Sequence, residues 1–296
     1  MKDIMNEYIE SLVNQDKLRL AVDKSISFEW NLGDTVVGRD FCIISGPCSV
    51  ESESMIVEFS KSLASEGVNA IRGGAYKPCT YPIEKETNGW KEGLKEIGLQ
   101  YLKRAGKEAE LPVVTEVMEP GKVSFVEGYA DVLQVGTRNF QNYPLLDELG
   151  RCNTPVLLKR GTWGTIDEIL GAAERILRGG NHKIAICLRG VVGMPSYRHV
   201  FSSTRWAPDL MMIPALKELT NIPIIYDPSH ATGKRSFVKP MSMAAIAAGC
   251  DGLIIECHPD PERSISDADQ AIDILTLREI INFKERYFES FINNQM

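Results

Sequence analysis

Short apolar runs alternate along the chain with longer stretches that have helical periodicity. Most of the short runs are continuous blocks rather than alternating apolar and polar positions, which is typical of parallel strands buried on both faces. These runs predict eight strands, at residues 41–45, 69–74, 111–117, 131–136, 155–161, 183–190, 222–229 and 251–258.

Helical patterns lie between most of these strands. The stretch 53–67 ends on Gly67, a residue that favours helix termination. Thr165 and Glu168 have the spacing of a capping box and predict a helix start at that point. Two further helices are predicted, at 239–250 and at 267–288.

Eight strands alternating with helices predict a single (β/α)8 TIM barrel in the α/β class. An open doubly wound sheet is the alternative, but no GxGxxG or GxxxxGK[ST] run follows the first strand, which disfavours a nucleotide-binding version. We expect residues 1–40 to form a short N-terminal extension, too small for a separate core, and residues 41–296 to form the catalytic barrel.

Composition narrows the class of protein. The 296 residues carry a formal net charge of −7 without a basic block, so nucleic acid is not an expected partner. The chain has no apolar run of the ~20 residues that a membrane helix needs, and its N-terminus lacks an apolar signal core. Seven cysteines without CxxC pairs indicate reduced thiols, and we expect a cytoplasmic protein.

Ionisable side chains lie near or just after the C-terminal end of nearly every predicted strand, where a barrel carries its active site. Five of them are cations, and a cluster of cations at one mouth needs anions such as phosphate and carboxylate among them. They are Arg72, Lys77, Arg138, Lys159 and Arg189.

A second group combines thiol, imidazole and carboxylate side chains, which together suit a divalent transition metal rather than calcium. Its members are Cys48, His230, Glu256 and Asp267. Each residue alone could equally be a core cysteine, a loop charge or a structural ion pair. The joint pattern favours function, because the strand bodies stay apolar while their ends do not.

Seven runs in the same order resemble the 3-deoxy-D-arabino-heptulosonate 7-phosphate (DAHP) synthase family, most of all its compact bacterial type I-beta branch, which is related to 3-deoxy-octulosonate 8-phosphate synthases. The resemblance extends over roughly residues 40–275. The runs are GPCSVES, IRGGAYKP, VGTRN, LLKRG, CLRG, DPSHATGKR and IIECHPDPERSISDADQA.

The resemblance implies a transferase that condenses phosphoenolpyruvate with erythrose 4-phosphate at the start of the shikimate pathway of aromatic amino-acid biosynthesis. It implies that the four mixed donors hold a divalent metal (Mn, Fe, Co or Zn) and that the five cations hold phosphoenolpyruvate. Cys48 in particular supports metal dependence, because the family's metal-independent octulosonate branch has Asn there. A homo-oligomer, tetramer or dimer, is also implied.

One run departs from the family pattern. The family's DAHP synthases carry Lys-Pro-Arg-Thr (or Ser) after the second strand, whereas this chain has Lys77-Pro78-Cys79-Thr80. The missing Arg normally helps to hold the aldose phosphate, with Lys77 and Thr80 in the same substrate-binding run. Losing one charge-assisted contact would cost ~1.5–3 kcal/mol of binding free energy. Arg205 and Arg235 are candidates to compensate, and the loop 191–206 could shape the aldehyde pocket.

The expected chemistry assigns roles to several of these groups. The cations would hold phosphoenolpyruvate ready for attack on a polarised aldehyde. His230 or a water on the metal would supply a proton to the new alkoxide, while Glu116 and Lys159 would position the water that attacks C2. Lys77, His230 and Glu116 are therefore the predicted catalytic residues.

Three alternatives stay open at this point. The enzyme could use another aldehyde in a specialised pathway, as Cys79 and the loop 191–206 would allow. The barrel could bind a metabolite without catalysis, or it could be a metal-dependent lyase that does not use phosphoenolpyruvate. Retention of all the metal positions and cations disfavours the last two.

Overall fold

The computed structural model of the chain describes residues 4–79, 91–192 and 205–293. Its strands are β1 (Trp30–Leu32), β2 (Thr35–Val37), β3 (Cys42–Gly46), β4 (Ala70–Arg72), β5 (Val113–Val117), β6 (Val132–Val135), β7 (Val156–Lys159), β8 (Ile184–Leu188), β9 (Ile224–Tyr226) and β10 (Gly252–Glu256). Its α-helices are α1 (Ile4–Asn14), α2 (Glu53–Ser65), α3 (Lys95–Ala109), α4 (Val123–Glu127), α5 (Tyr143–Arg151), α6 (Ile166–Arg178), α7 (Met212–Leu219), α8 (Pro228–Thr232), α9 (Arg235–Ala247) and α10 (Ile274–Asn293).

Strands β3 to β10 form a closed, wholly parallel barrel in chain order, which confirms the predicted (β/α)8 fold. Each of these strands overlaps one of the eight predicted runs. The barrel closes between β10 and β3, in a register that runs from Gly252 opposite Cys42 to Glu256 opposite Gly46. The C-terminal ends of the first and last barrel strands, β3 and β10, are therefore neighbours.

The barrel strands contribute to two separate apolar clusters because successive side chains point to opposite faces. One cluster packs against the surrounding helices. The other fills the barrel interior and includes Ile44, Val114 and Ile254. The antiparallel hairpin of β1 and β2 adds Trp30 and Leu32 to this inner cluster, so it covers the N-terminal end of the barrel.

Two helix ends are as the sequence predicts. Thr165 and Glu168 form a complete capping box at the start of α6. Gly67, at φ +82°, follows the end of α2 in the left-handed conformation that glycine accepts without strain.

The predicted start of the last helix at Asp267 is wrong, because α10 begins at Ile274. Residues 267–273 instead return along the barrel end, where Cys257 and Ile272 form a parallel bridge. Asp273 caps the helix, since its Oδ1 accepts a hydrogen bond from the Thr276 amide at 2.7 Å. Helix α9 also differs, starting at Arg235 rather than at residue 239.

Within the three described ranges, no helix combines the length and the apolar character needed to cross a bilayer.

A pair of helical glycines gives a test of how tightly α3 packs. A Cβ at Gly106 would lie 2.7 Å from the Leu111 carbonyl oxygen and 2.5 Å from Val113 Cγ2, whereas a Cβ at Gly171 would have no neighbour within 4 Å. We expect Gly106→Ala to destabilise the protein by ~1–3 kcal/mol through overpacking. Gly171→Ala should stabilise it by up to ~1 kcal/mol through helix propensity.

The measurement is the midpoint of thermal unfolding of both variants at one scan rate. A Gly106→Ala midpoint equal to or above that of Gly171→Ala would contradict the packing described for α3.

Candidate active site

A cavity of about 320 Å³ opens at the C-terminal end of the barrel. Its lining brings together most of the predicted site: Arg72, Lys77, Glu116, Arg138, Lys159, Arg189, Arg205, His230 and Asp267. A wider groove of about 1120 Å³ lies beside the hairpin at the opposite end, and its lining includes none of the predicted site residues that the structure describes. The convergent charged groups therefore identify the smaller cavity as the candidate active site.

Three of the four predicted metal ligands form a compact cluster. One donor atom each from Cys48, Glu256 and Asp267 lies within 4.8 Å of the other two. Cys48 is buried and its thiol donates to Asp267 Oδ2 at 3.3 Å. Glu256 is fully buried at the end of β10, and Asp267 sits at φ +54° in the segment beyond it.

His230 is oriented by the residue three positions before it. Asp227 caps the short helix α8, where its Oδ1 accepts the His230 amide at 2.9 Å. Asp227 Oδ2 lies 2.8 Å from His230 Nδ1, so Nδ1 is the protonated nitrogen in the neutral ring. His230 Nε2 is then left facing Glu256 Oε1 at 3.3 Å and Asp267 Oδ2 at 3.7 Å.

Burial controls the protonation of this cluster. Burial lowers the pKa of His230 below its ordinary value, against the opposing charges of Asp227 and Glu256. Burial also raises the pKa of the Cys48 thiol to about 12, and Glu256 adds to that rise. For Glu256, burial would raise the pKa, but His230 and Arg72 outweigh it and hold the pKa far below its ordinary range.

The donor set fits a divalent cation. An unprotonated imidazole nitrogen, two carboxylates and a thiol face one another, and the two carboxylates repel unless positive charge lies between them. Two of these side chains are also held by residues outside the donor set: Asp227 binds His230, and Arg72 Nη1 donates to Glu256 at 2.7 Å. Such outer contacts are typical of metal ligands.

Two of the predicted cations are committed to buried carboxylates. Arg72 pairs with Glu256, and Lys159 Nζ donates to Asp227 Oδ2 at 2.5 Å. Lys77 Nζ lies 2.8 Å from Cys48 Sγ and also donates to the Cys48 carbonyl at 3.0 Å. These contacts hold each cation at a fixed position on the cavity wall.

Arg189 presents a buried donor to the cavity. Its Nη2 donates to the His230 carbonyl at 2.8 Å and its guanidinium lies 5.5 Å from the Trp206 ring centroid. Its Nε is buried and has no hydrogen-bond partner among the described residues. Burial lowers the pKa of Arg189 to about 10, so the guanidinium is still charged at neutral pH and would gain from an anion. Arg138, on the turn after β6, completes the cationic wall.

Glu116 lies on the cavity wall at the end of β5. Gln134 Nε2 donates to its Oε2 at 3.3 Å. The neighbouring strand approaches so closely that a Cβ at Gly136 would lie 2.0 Å from Glu116 Oε1. Burial raises the pKa of Glu116 above its ordinary value of 4.5, although Lys77, Lys159 and Arg72 oppose the rise.

The aldehyde side of the predicted site is described only in part. Thr80 lies outside the described residues, as does most of the loop 191–206. Cys79 is half-buried on the cavity wall. Arg205 is also on this wall, where its Nη1 donates to Asp267 Oδ1 at 3.2 Å and to Gln270 Oε1 at 3.1 Å. Arg235 contacts Glu262 and the carbonyl of Ala271 and is not part of the cavity lining.

Three polar residues of the site were missed in the sequence. Asp227 binds both His230 and Lys159, and Gln134 and Gln270 hold Glu116 and Glu256. Asp227 had a signal in the sequence, because Asp followed directly by Pro is typical of a helix start, with Asp as the N-cap and Pro as the first helical residue. Gln134 had none, and Gln270 lies in the run IIECHPDPERSISDADQA, but its pairing with Glu256 could not be read because the two residues are distant in the chain.

Comparison with known proteins agrees with the family resemblance seen in the sequence. Residues 20–291 match the model of the DAHP synthetase I family. A phospho-2-dehydro-3-deoxyheptonate aldolase of Thermotoga maritima is 42% identical over 252 residues, covering 85% of this chain and 71% of that protein. A 2-dehydro-3-deoxyphosphooctonate aldolase of Alkalilimnicola ehrlichii is 27% identical over 258 residues, covering 82% and 89%.

Two solved structures from Thermotoga maritima resemble this one. The crystal structure of its phospho-2-dehydro-3-deoxyheptonate aldolase (DAHP synthase) has a TM-score of 0.84 and 39% sequence identity, covering 93% of this chain and 78% of that chain. A truncated form of its 3-deoxy-D-arabino-heptulosonate 7-phosphate synthase has a TM-score of 0.80 and 38% identity, covering 90% and 94%.

The raised pKa of Glu116 predicts a pH-dependent stability effect. A carboxyl group whose pKa is higher in the folded protein costs stability once it ionises, and the cost appears as pH rises from the unfolded pKa through the folded one. Glu116→Gln should therefore raise the thermal midpoint at about pH 7 and lose that advantage at about pH 4.

The matched control is Glu119→Gln, since Glu119 is exposed three residues further along. An equal Glu116→Gln effect at both pH values would contradict the assigned pKa direction.

Proposed function

The chain belongs to the DAHP synthetase I family, whose reaction is the condensation of phosphoenolpyruvate with erythrose 4-phosphate, and we propose that it carries out this reaction with a divalent metal held by Cys48, His230, Glu256 and Asp267. The products are DAHP and inorganic phosphate. The observation that carries the proposal is the meeting of the donor cluster and the cationic wall in one cavity.

The cationic wall would bind phosphoenolpyruvate. The cavity is lined by Arg138, Lys159 and Arg189, so a phosphate and a carboxylate together would find charge-assisted partners. Arg72 and Lys77 would act closer to the metal, because their contacts are with Glu256 and Cys48. Holding these groups before reaction lowers the entropic part of the barrier.

A bound metal would supply Lewis-acid polarisation of the aldehyde oxygen. Around it, the chain's own groups would manage protons. His230 keeps its proton on Nδ1, which donates to Asp227, and the pKa of Asp227 stays well below its ordinary range because His230 and Lys159 outweigh burial. Glu116, with its raised pKa, and Lys159 would position the water that attacks C2 of phosphoenolpyruvate.

A second candidate function is condensation with a different aldehyde. Cys79 favours it, because a half-buried thiol stands on the cavity wall where the family pattern has the cation for the aldose phosphate. Arg205 is a described cation that could bind the aldose phosphate instead, since it lines the same cavity and its side chain is about one-third exposed. It would have to leave Asp267 and Gln270 to bind a phosphate.

Further features complete the proposal. The metal would be Mn, Fe, Co or Zn, all of which accept this donor set. Residues 41–296 would act as one catalytic domain, with residues 1–40 as an extension, and the enzyme would assemble as a homo-oligomer, dimer or tetramer. A reducing cytoplasm would suit it, because all seven cysteines are free thiols.

The proposed metal dependence can be tested directly. Protein stripped of metal should release no phosphate from phosphoenolpyruvate with erythrose 4-phosphate, and Mn²⁺ should restore turnover. Cys48→Ala should lower kcat/KM at least ~100-fold, because even outer contacts of a metal site are worth ten- to a hundredfold. Phosphate release is the measurement, with ribose 5-phosphate, arabinose 5-phosphate and unphosphorylated aldoses in parallel.

Cys152→Ala is the matched control, since this half-buried cysteine lies outside the cavity lining. If the metal-loaded protein released no phosphate with any aldehyde, the proposal would be overturned. Phosphate release only with an aldehyde other than erythrose 4-phosphate would favour the second candidate function.

The role of Cys79 in the aldehyde pocket gives a separate prediction. Cys79→Arg should lower KM for erythrose 4-phosphate by roughly ten- to a hundredfold, the value of one charge-assisted contact of ~1.5–3 kcal/mol. KM for phosphoenolpyruvate should not change. Cys79→Ser is the control for loss of the thiol, and an unchanged aldose KM in Cys79→Arg would remove Cys79 from the aldehyde pocket.

A further inference from the structure

Two of the proposed metal ligands lie on loops rather than on strands. Cys48 lies in the loop between β3 and α2, and Asp267 lies in the long segment between β10 and α10. Among the described residues, the bridges Ser49 to Gly74 and Cys257 to Ile272 tie each loop to another part of the barrel end rather than to the other loop. Arg235 also holds the segment of Asp267, because its amide donates to the Asp269 carbonyl and its side chain to the carbonyls of Ala268 and Ala271. The approach of Cys48 Sγ to Asp267 Oδ2, at 3.3 Å, is therefore left to side chains that join the two loops.

Glu51 joins these loops through three contacts to the segment beyond β10. Its Oε1 accepts the Ile265 amide at 2.9 Å, and it lies 3.4 Å from Ser264 Oγ and 3.3 Å from His258 Nε2. The Glu51 side chain is only 13% exposed. One carboxylate thus gathers a backbone amide, a hydroxyl and an imidazole from one segment.

A second side-chain contact joins the two loops, between two serines that lie next to the proposed ligands in the chain. Ser49 Oγ is 2.6 Å from Ser266 Oγ, and these residues directly adjoin Cys48 and Asp267. Ser264 Oγ donates to the Ser266 carbonyl at 2.8 Å, which tightens the turn that precedes Asp267. We call Glu51, His258 and the turn 264–266 the loop clasp.

We propose that Glu51 is a positioning residue of the metal site, which holds the turn 264–266 against the loop of Cys48 so that Cys48 and Asp267 reach the same cation. This inference rests on the proposed metal site. Glu51 itself donates no atom to the cluster of Cys48, Glu256 and Asp267. Without the clasp, the metal would have to draw the turn 264–266 against the loop of Cys48 as it binds, and the affinity would fall.

The test is a Co²⁺ titration of metal-stripped protein, read by the visible bands of the bound ion and by thiolate-to-cobalt charge transfer. Glu51→Ala should weaken Co²⁺ binding by about ten- to a hundredfold and diminish the charge-transfer band. Glu51→Gln, which can still accept the Ile265 amide, should restore most of the affinity. Glu53→Ala is the matched control, because Glu53 begins α2 and pairs at the surface with Arg104.

Hydrogen exchange of the metal-free protein gives a readout that does not involve cobalt. Exchange of the amides near residue 265 should be faster in Glu51→Ala than in Glu53→Ala. Should Glu51→Ala fail to fold, Glu51→Asp keeps the charge while drawing the carboxylate back from Ile265, and it should show the same loss of affinity.

Co²⁺ affinity and charge transfer equal to those of the unsubstituted protein, in Glu51→Ala or in Glu51→Asp, would overturn the proposal. A Glu51→Gln variant as weak as Glu51→Ala would also overturn it. Failure of the metal site itself is recognised separately, because Cys48→Ala would then bind Co²⁺ with unchanged affinity.

Discussion

Barrel closure between β10 and β3 is the constraint on which the site depends. The register sets Glu256 beside Gly46, so a carboxylate from the end of the chain stands next to the loop that carries Cys48. The next strand comes equally close, since a Cβ at Gly46 would lie 2.2 Å from the Arg72 carbonyl oxygen. Side chains more than two hundred positions apart thus meet through backbone pairing.

The charges gathered there are arranged as buried pairs. Arg72 with Glu256 and Lys159 with Asp227 are each almost wholly removed from solvent. Buried ion pairs contribute little to stability compared with apolar packing, because desolvation offsets their attraction. Their presence at the strand ends, above an interior that is otherwise apolar, is therefore better explained by the chemistry of the site.

The barrel and much of its site could be predicted because each signal was local. Continuous apolar runs marked the strands, and a charged residue near the C-terminal end of a run, such as Glu256 or Arg189, falls at the mouth by the geometry of parallel strands. The start of α10 could not be read, since residues 267–273 have helical spacing but are held by the bridge to Cys257. The role of Gln270 was hidden for the same reason, because its contact with Glu256 exists only when that segment folds back.

The hairpin that carries Trp30 has a consequence for the order of events. Because Trp30 and Leu32 close one end of the barrel, the candidate active-site cavity opens at the other. Arg189 is 6% exposed, whereas the Arg205 side chain is 32% exposed, so Arg189 lies deeper in the cavity wall than Arg205. Under the proposed function, a molecule bound at Arg189 would have to enter before one bound at Arg205, because the outer molecule would stand in its path.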